Sequence, residues 1–328
     1  MRVIQATAPQ DLTWDVPIPV LAMGTLDGVH LGHQEILRRV RERAAAVGGT
    51  AGALTFARHP LEVVRPGQAP PLITPLPIKL ALLDRLGMAA AVVIHFSPPM
   101  AEMGAEDFVE RALVGGLRVA GLCVGYDFGF GKGRRGNADL LRRLAPRHGF
   151  WLEVVPPVRL EGLVVSSRMI RGLLAEGRVE EAQRFLGRPY CLAGEVQSGA
   201  GRGRELGFAT ANLPLSEPTP LRDGVYAGRL HLRGGFQDAM LNLGRAPTFG
   251  PGERRLEVHV PGWQEPLYGE VVAAFFLRRL RDEERFASAE ALVAQLHRDR
   301  ESAQAAWEAA RGLPWPEWAL HSRGPMVT

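Results

Sequence analysis

Apolar and polar positions follow two rhythms along this chain, and one gives way to the other only once. In the first half, short apolar runs alternate with segments of helical spacing. Residues 20–23 form an apolar run directly after Pro19. Residues 34–47 then place Ile36, Leu37 and Val40 on one side and arginines elsewhere, which predicts a helix. The same reading gives a strand at 50–56, a helix at 78–86 stopped by Gly87, and a strand at 89–96. A helix at 106–114 ended by Gly115 and Gly116, a strand at 118–125, a helix at 138–148 and a strand at 151–155 follow. Strand and helix in alternation imply a parallel sheet covered on both faces, with ligands beyond the carboxyl ends of the strands. Two short helices should start near Met169 and Val179.

The rhythm changes at residues 186–190. Beyond it, apolar runs at 225–232, 239–243, 256–260 and 270–277 are separated by Gly and Pro, the signature of an antiparallel sheet or barrel. Residues 288–307 read as one long amphipathic helix with Leu292 and Leu296 on its apolar side. Pro314, Pro316 and Pro325 mark a tail. There is no internal repeat. The expected organisation is an α/β domain over residues 1–186, a β-rich domain with a terminal helix over 187–312, and a tail over 313–328.

Composition narrows the class without choosing a function. Of 328 residues, 46% are hydrophobic and 23% charged, which excludes wholesale disorder, a collagen repeat and a disulfide scaffold. The net charge of +4 is too small for a nucleic-acid carrier, and the arginines are spread along the chain and interleaved with acids, as at residues 281–285. Lys79 and Lys132 are the only lysines among 39 basic residues. Cys123 and Cys191 lack the neighbours of a zinc site. Residues 1–15 lack the apolar core of a signal peptide, and the longest apolar stretch, 88–94, is far short of the ~20 residues that span a bilayer. These features predict a cytoplasmic protein with no nucleic-acid and no membrane partner; the oligomeric state is left open.

The densest chemistry follows the run at 20–23. Gly24, Thr25, Asp27, Gly28, His30, Gly32 and His33 fall within ten residues, between strand and helix. The glycines allow backbone to approach a ligand, and a helix amino terminus near His33 favours phosphate. His30 and His33, three residues apart, can face one anion and donate to its oxygens as charge develops. A lone histidine here would more simply be a solvent residue beside a helix cap. The concentration of two His, three Gly and one Asp favours a phosphate site.

The segment Gly24-Thr25-Leu26-Asp27-Gly28-Val29-His30-Leu31-Gly32-His33 resembles the His-x-Gly-His signature of nucleotidyltransferases, in the extended form of the bacterial bifunctional riboflavin kinase/FMN adenylyltransferases. The run Ser166-Ser167-Arg168-Met169-Ile170-Arg171 is similar to the family's Ser-Ser-Thr-x-x-Arg, with Arg168 at the Thr position. The resemblance implies phosphate contacts from Ser166 and Ser167, and stabilisation of the leaving pyrophosphate by Arg171. Thr55-Phe56-Ala57-Arg58-His59-Pro60 and Gly125-Tyr126-Asp127-Phe128-Gly129-Phe130-Gly131 also match family segments, with Arg58 in place of a Pro. They imply Phe56, His59 and Phe128 on the flavin side and Asp127 at adenosine. Taken singly, each Phe is as well explained as core.

The second half opens with a loop containing Gly199, Gly201, Arg202, Gly203 and Arg204, suited by its N–H groups and guanidiniums to folding over a polyphosphate. Alone, it would read as a surface loop. Glu257 and His259 share one face of an alternating strand, a polar pair that a plain barrel would not call for. The loop runs into Ala209-Thr210-Ala211-Asn212, which resembles the Pro-Thr-Ala-Asn of riboflavin kinases with Ala209 for Pro. The resemblance implies Thr210 and Asn212 as oxygen ligands for Mg²⁺ beside ATP, and Glu257 as the base for the substrate hydroxyl.

The likeness covers about residues 20–299 and two unrelated domains. It implies an α/β Rossmann-like nucleotidyltransferase domain followed by an antiparallel β-barrel riboflavin-kinase domain with a C-terminal helix. The implied partners are riboflavin, FMN and ATP, with Mg²⁺ as cofactor and FMN and FAD as products. Two narrower readings stay open at this point: one activity alone is retained, or the first domain acts on another phosphorylated acceptor.

Overall fold

The computed structural model describes residues 1–197, 210–215, 217–233, 235–245, 254–263 and 265–313. The chain divides into two compact units, one ending at Ser167 and the next beginning at Arg168.

The first unit is built on a six-stranded sheet whose paired strands are all parallel. Its strands are β1 (Arg2–Ala6), β2 (Pro19–Met23), β3 (Thr50–Phe56), β4 (Ala90–Ile94), β5 (Gly121–Gly125) and β6 (Trp151–Val155), in the order β1-β4-β3-β2-β5-β6. Every residue of β2 and β4 is buried, as continuous apolar runs covered on both faces require. Helix α1 (Leu31–Ala46) buries Ile36, Leu37, Val40 and Ala44. Helix α2 (Leu76–Arg85) buries Ile78, Leu80, Leu82 and Leu83, and with them Lys79. Helix α3 (Ala138–His148) starts where the Asn137 side chain accepts from the Leu140 N–H, and ends at Gly149 in the left-handed conformation.

The alternation read from the sequence is present, with differences at several element ends and in the elements that follow here. Strand β1 was not expected; its polar Arg2 and Gln5 are tolerated because it is an edge strand, paired with β4 alone. Helix α1 begins at Leu31, three residues before the expected start. The segment expected as a helix over 106–114 is a short turn at Ala105–Asp107 followed by a π-helical stretch, Phe108–Gly116.

The second unit begins with α4 (Ser167–Ala175, apart from its first residue) and α5 (Val179–Leu186), which pack with the strands that follow. The Arg222 N–H donates to the Leu174 carbonyl at 2.9 Å, and Arg278 pairs with Glu180 at 3.0 Å. Compact packing thus divides earlier than the change of sequence rhythm at 186.

The rest of the unit is an antiparallel sheet. It comprises β7 (Tyr190–Glu195), β8 (Thr210–Pro214), β9 (Gly224–Leu232), β10 (Gly235–Arg245), β11 (Arg254–His259) and β12 (Val271–Arg281), in the order β7-β12-β9-β10-β11-β8. The sheet curls until its two edges meet at a bridge where the Gln197 N–H donates to the Asn212 carbonyl at 2.9 Å. Helix α6 (Ala289–Ala310) packs Ala303, Ala306, Trp307 and Ala310 against Ala227, Met240 and Leu277. Leu296 is at the margin of that contact, so the small residues of its second half, more than the expected leucines, make the close approach. The Trp307 indole donates to the Gly228 carbonyl at 2.9 Å. A Cβ on Gly228 would meet the side chain of Leu241 and the backbone of Phe275. No helix among the described residues is long and apolar enough to cross a membrane.

Candidate active sites

In the first sheet, β3 and β4 lie on one side of β2 and β5 on the other. The strand order therefore reverses between β2 and β5, where open α/β sheets hold their ligands. The segments after β2, β3 and β5 leave the sheet at the same edge, because these strands are parallel. They carry the predicted groups Gly24–His33, Phe56–His59 and Asp127–Phe128.

His30 is the N-cap of α1, and its Nδ1 accepts from the His33 N–H at 3.3 Å. In a neutral ring this leaves the proton on Nε2. The rings of His30 and His33 stack with centroids 3.7 Å apart and planes 17° from parallel. A Cβ on Gly32 would lie 3.1 Å from the His30 ring, so a glycine there gives the ring its space. The His33 N–H is thus engaged within the cap.

The loop before the helix is held in a costly shape. Leu26 has φ 48°, Gly28 φ 90° and Val29 φ 39°. Positive φ is rare for a β-branched residue, and such positions cost about 1–3 kcal/mol each unless the surroundings enforce them. Here alternate carbonyls are tied back. Thr25 O accepts from Thr55 Oγ1 at 2.9 Å and from Lys79 Nζ at 3.0 Å. Asp27 O accepts from Ser167 Oγ at 2.8 Å, and Val29 O from Gln34 Nε2 at 2.9 Å. The Asp27 carboxylate is 1% exposed and accepts from the Ile73 and Thr74 N–H groups at 3.0 and 3.1 Å.

Around this loop, Phe56 lies edge-on to Phe96 at 5.7 Å, and Phe128 stacks on Phe130 at 5.5 Å. Both Phe56 and Phe128 are half-buried against the core, so each has one side in packing and some surface outside it. Asp127 is exposed at the end of β5. His59 Nδ1 accepts from the Leu61 N–H at 3.2 Å. Ser166 is half-buried beside Ser167, and Arg171 is half-buried on α4, within the second unit.

In the second unit, three strands line up one polar row. Asn212 of β8 and Asn242 of β10 are both register partners of Glu257, on β11 between them. The flanking Leu213, Leu243, Leu256 and Val258 are buried, so alternation sends the polar row to the opposite face, which also carries Met240 and His259. Burial pushes the Glu257 carboxyl above the usual range, partly offset by the charge of Arg255. Thr210 is exposed at the start of β8, opposite His259. Gly199, Gly201, Arg202 and Gly203 lie outside the described residues.

Glu283 joins this row and was not foreseen. Its carboxylate packs over Gly244, and lost hydration together with the charge of Asp223 raises its pKa. The Asn242 side chain and the Arg245 N–H donate to it, and the Glu257 charge adds a smaller upward push. The Asn242 Oδ1 is buried and, among the described residues, accepts no hydrogen bond. No group of three or more His, Cys, Asp or Glu among the described residues could cage a metal ion. Thr210, Asn212 and Asn242 offer only neutral oxygens, a set that suits a hard cation held mainly by phosphate and water.

Residues 16–169 match the family model for FAD synthetase, and residues 186–307 match the model for riboflavin kinase. The bifunctional riboflavin kinase/FMN adenylyltransferase of Pseudomonas fluorescens is 37% identical over 287 residues, covering 87% of this chain and 92% of its own. The proteins of the same description from Haemophilus influenzae and Bacillus subtilis are 35% and 32% identical, covering 87% and 92% of this chain and 93% and 97% of theirs. A solved structure described as a macrolide-efflux protein from Streptococcus pneumoniae superposes with a TM-score of 0.82 at 29% identity, covering 93% of this chain and 99% of that one. The chain is a two-domain transferase, with a nucleotidyltransferase domain followed by a kinase domain. It belongs to the bifunctional riboflavin kinase/FMN adenylyltransferase family.

Proposed function

We propose that this chain phosphorylates riboflavin to FMN with ATP and then adenylylates FMN with a second ATP, giving FAD and pyrophosphate. The observation that carries the reading is the polar row Asn212–Glu257–Asn242 in one unit of a chain whose other unit presents the stacked His30–His33 pair.

In the kinase step, Glu257 takes the proton of the ribityl 5′-hydroxyl as that oxygen attacks the γ-phosphorus and ADP leaves. A raised pKa suits a base that must hold that proton. Thr210 and Asn212 would hold Mg²⁺ with the ATP phosphates, and Gly199, Gly201, Arg202 and Gly203 would close over them. When bound, the cation would neutralise charge on the transferring phosphoryl group.

In the transferase step, an FMN phosphate oxygen attacks the α-phosphorus of ATP and the bond to pyrophosphate breaks. His30, through its Nε2–H, and His33 donate to the phosphate oxygens, while Gly24, Thr25, Gly28 and Gly32 line the loop that Asp27 shapes from within. Ser166 and Ser167 serve the phosphates, Ser167 also by bracing the loop, and Arg171 serves the leaving pyrophosphate. Phe56, His59 and Phe128 would flank the flavin, and Asp127 the adenosine.

We assign the transferase domain to residues 1–186, the kinase domain to 187–312 and the tail to 313–328. The matched segments, one ending at 169 and the other starting at 186, support a division in that interval. A cytoplasmic location, where ATP is available, fits two cysteines that are both free and buried.

The test is to incubate the protein with riboflavin, ATP and Mg²⁺ and resolve the flavins by chromatography over time. FMN that appears and then gives way to FAD is the expected course. FMN that accumulates without FAD would remove the transferase half of the proposal, and unchanged riboflavin would remove the kinase half.

A further inference from the structure

The geometry points to Lys79 as a positioning residue for adenylyl transfer, registering the loop at Thr25 against the strand end at Phe56. This inference rests on the transferase reading above. Lys79 is 1% exposed, in the middle of a helix whose other buried positions are Ile and Leu. Its ammonium donates to the Thr25 carbonyl at 3.0 Å and to the Phe56 carbonyl at 2.9 Å. One of these belongs to the strained loop expected at the ATP phosphates, and the other ends the strand expected at the flavin. A single cation therefore fixes the spacing between the places assigned to the two reactants.

A second contact closes the circuit. The Asp27 carboxylate holds the Ile73 and Thr74 N–H groups, just before α2, and α2 returns Lys79 to Thr25 in the same loop. Loop and helix therefore fix one another, and a shift of α2 would be felt at Thr25 and Asp27 together.

The choice of side chain is informative. Apart from Lys132, every other basic residue of this chain is arginine. A buried charge carries a large desolvation cost, and an apolar residue would fill a helix core position with less. A compact ammonium can aim separate N–H bonds at two carbonyls on different segments, and fits a smaller space than a planar guanidinium. Because charge builds up at the α-phosphate in the transition state, a cation fixed beneath the loop also favours that state over a neutral substitute.

The experiment uses the full chain with two substitutions, Lys79→Met and Lys79→Arg, and follows both reactions in the same preparations. The kinase reaction reports the integrity of the second unit, and circular dichroism with a thermal melt reports the fold of the first. The expected result is a folded variant with kinase kcat unchanged and kcat for FMN adenylylation lowered roughly 100-fold, as for a small misplacement of reactants. The KM for ATP and FMN should change far less than kcat, and a thermal melt matching the parent's excludes a loss of folded enzyme as the cause of the lowered kcat. A folded variant that adenylylates FMN within twofold of the parent rate overturns the inference. So does failure of both variants to fold, which would assign Lys79 to the core alone. If the parent chain itself forms no FAD from FMN, it is the transferase reading that falls.

Discussion

Asn212 and Glu257 are direct partners across β8 and β11. The pairing sets the amide assigned to Mg²⁺ beside the carboxylate assigned as base, on one face and one residue level. Replacing Glu257 with Gln keeps the size and removes the proton acceptor. FMN formation should fall by roughly 10²–10⁴-fold, the worth of a general base, while FAD formation from supplied FMN is unchanged. Separate assays with riboflavin and with FMN check this; a parallel loss of both activities would break the two-site assignment.

The pH dependence of the kinase carries the same residue's signature. In the proposed kinase step Glu257 acts as a carboxylate, and burial raises its pKa. The protonated, inactive form therefore persists to higher pH than for an ordinary glutamate at about 4.3. The rate of FMN formation should fall as pH drops through that raised value. Arg255 pulls the pKa down, so Arg255→Met should move the acid limb further up. A limb in the ordinary glutamate range that ignores this substitution would sink the prediction.

At the other site, cap and catalyst can be separated. His30 caps α1 through Nδ1, and asparagine is also a good N-cap. His30→Asn should leave the melting temperature almost unchanged and lower FAD formation on the order of 100-fold, with the kinase untouched. A melt together with FAD chromatography distinguishes this from a purely structural histidine, for which activity would track stability.

The two thiols should be silent in the native protein. Burial pushes Cys123 up to about 12 and Cys191 up to about 11. The thiolate is the reactive form, so at pH 8 a disulfide reagent should label neither residue until the protein is unfolded. Rapid labelling in the native state would contradict the burial described above.

Helix α6 offers a stability test. Arg281 grips Asp299, which is 3% exposed, through Nε and Nη2 at 2.9 and 2.8 Å, and Gln295 adds a bond at 2.8 Å. Asp299→Ala leaves the guanidinium half-buried and unpaired and should cost about 3 kcal/mol. The double replacement Arg281→Met with Asp299→Leu should recover much of that loss. Chemical denaturation of the parent and the two variants measures both effects.

The loop over residues 24–33 is legible in the sequence as a candidate site because its groups are contiguous: glycines and histidines within ten residues need little tertiary context. Strand β1 was not legible, since its partner β4 lies some ninety residues away and its polar positions break the apolar run. Asn242 lies within the apolar run at 239–243, and only the register of β10 against β11 reveals it beside Glu257. Lys79 carried a sequence signal, a rare lysine amid helical apolar residues, but its meaning needs the topology that brings α2 under Thr25. The apolar side of α6 was read from leucines, whereas the contact is made by alanines and Trp307, because close approach to the sheet favours small side chains.

One bridge among the described residues, between Gln197 and Asn212, gives the barrel a seam. Strand β8 has a full ladder to β11 on one side and, among the described residues, that one bridge to the β7 side. Breaking it separates the two edges without disturbing the ladder. Amide protons along this seam should therefore open at lower free energy than those of β9 and β12, which are paired on both sides. The edge can breathe while Asn212 and Glu257 remain in step.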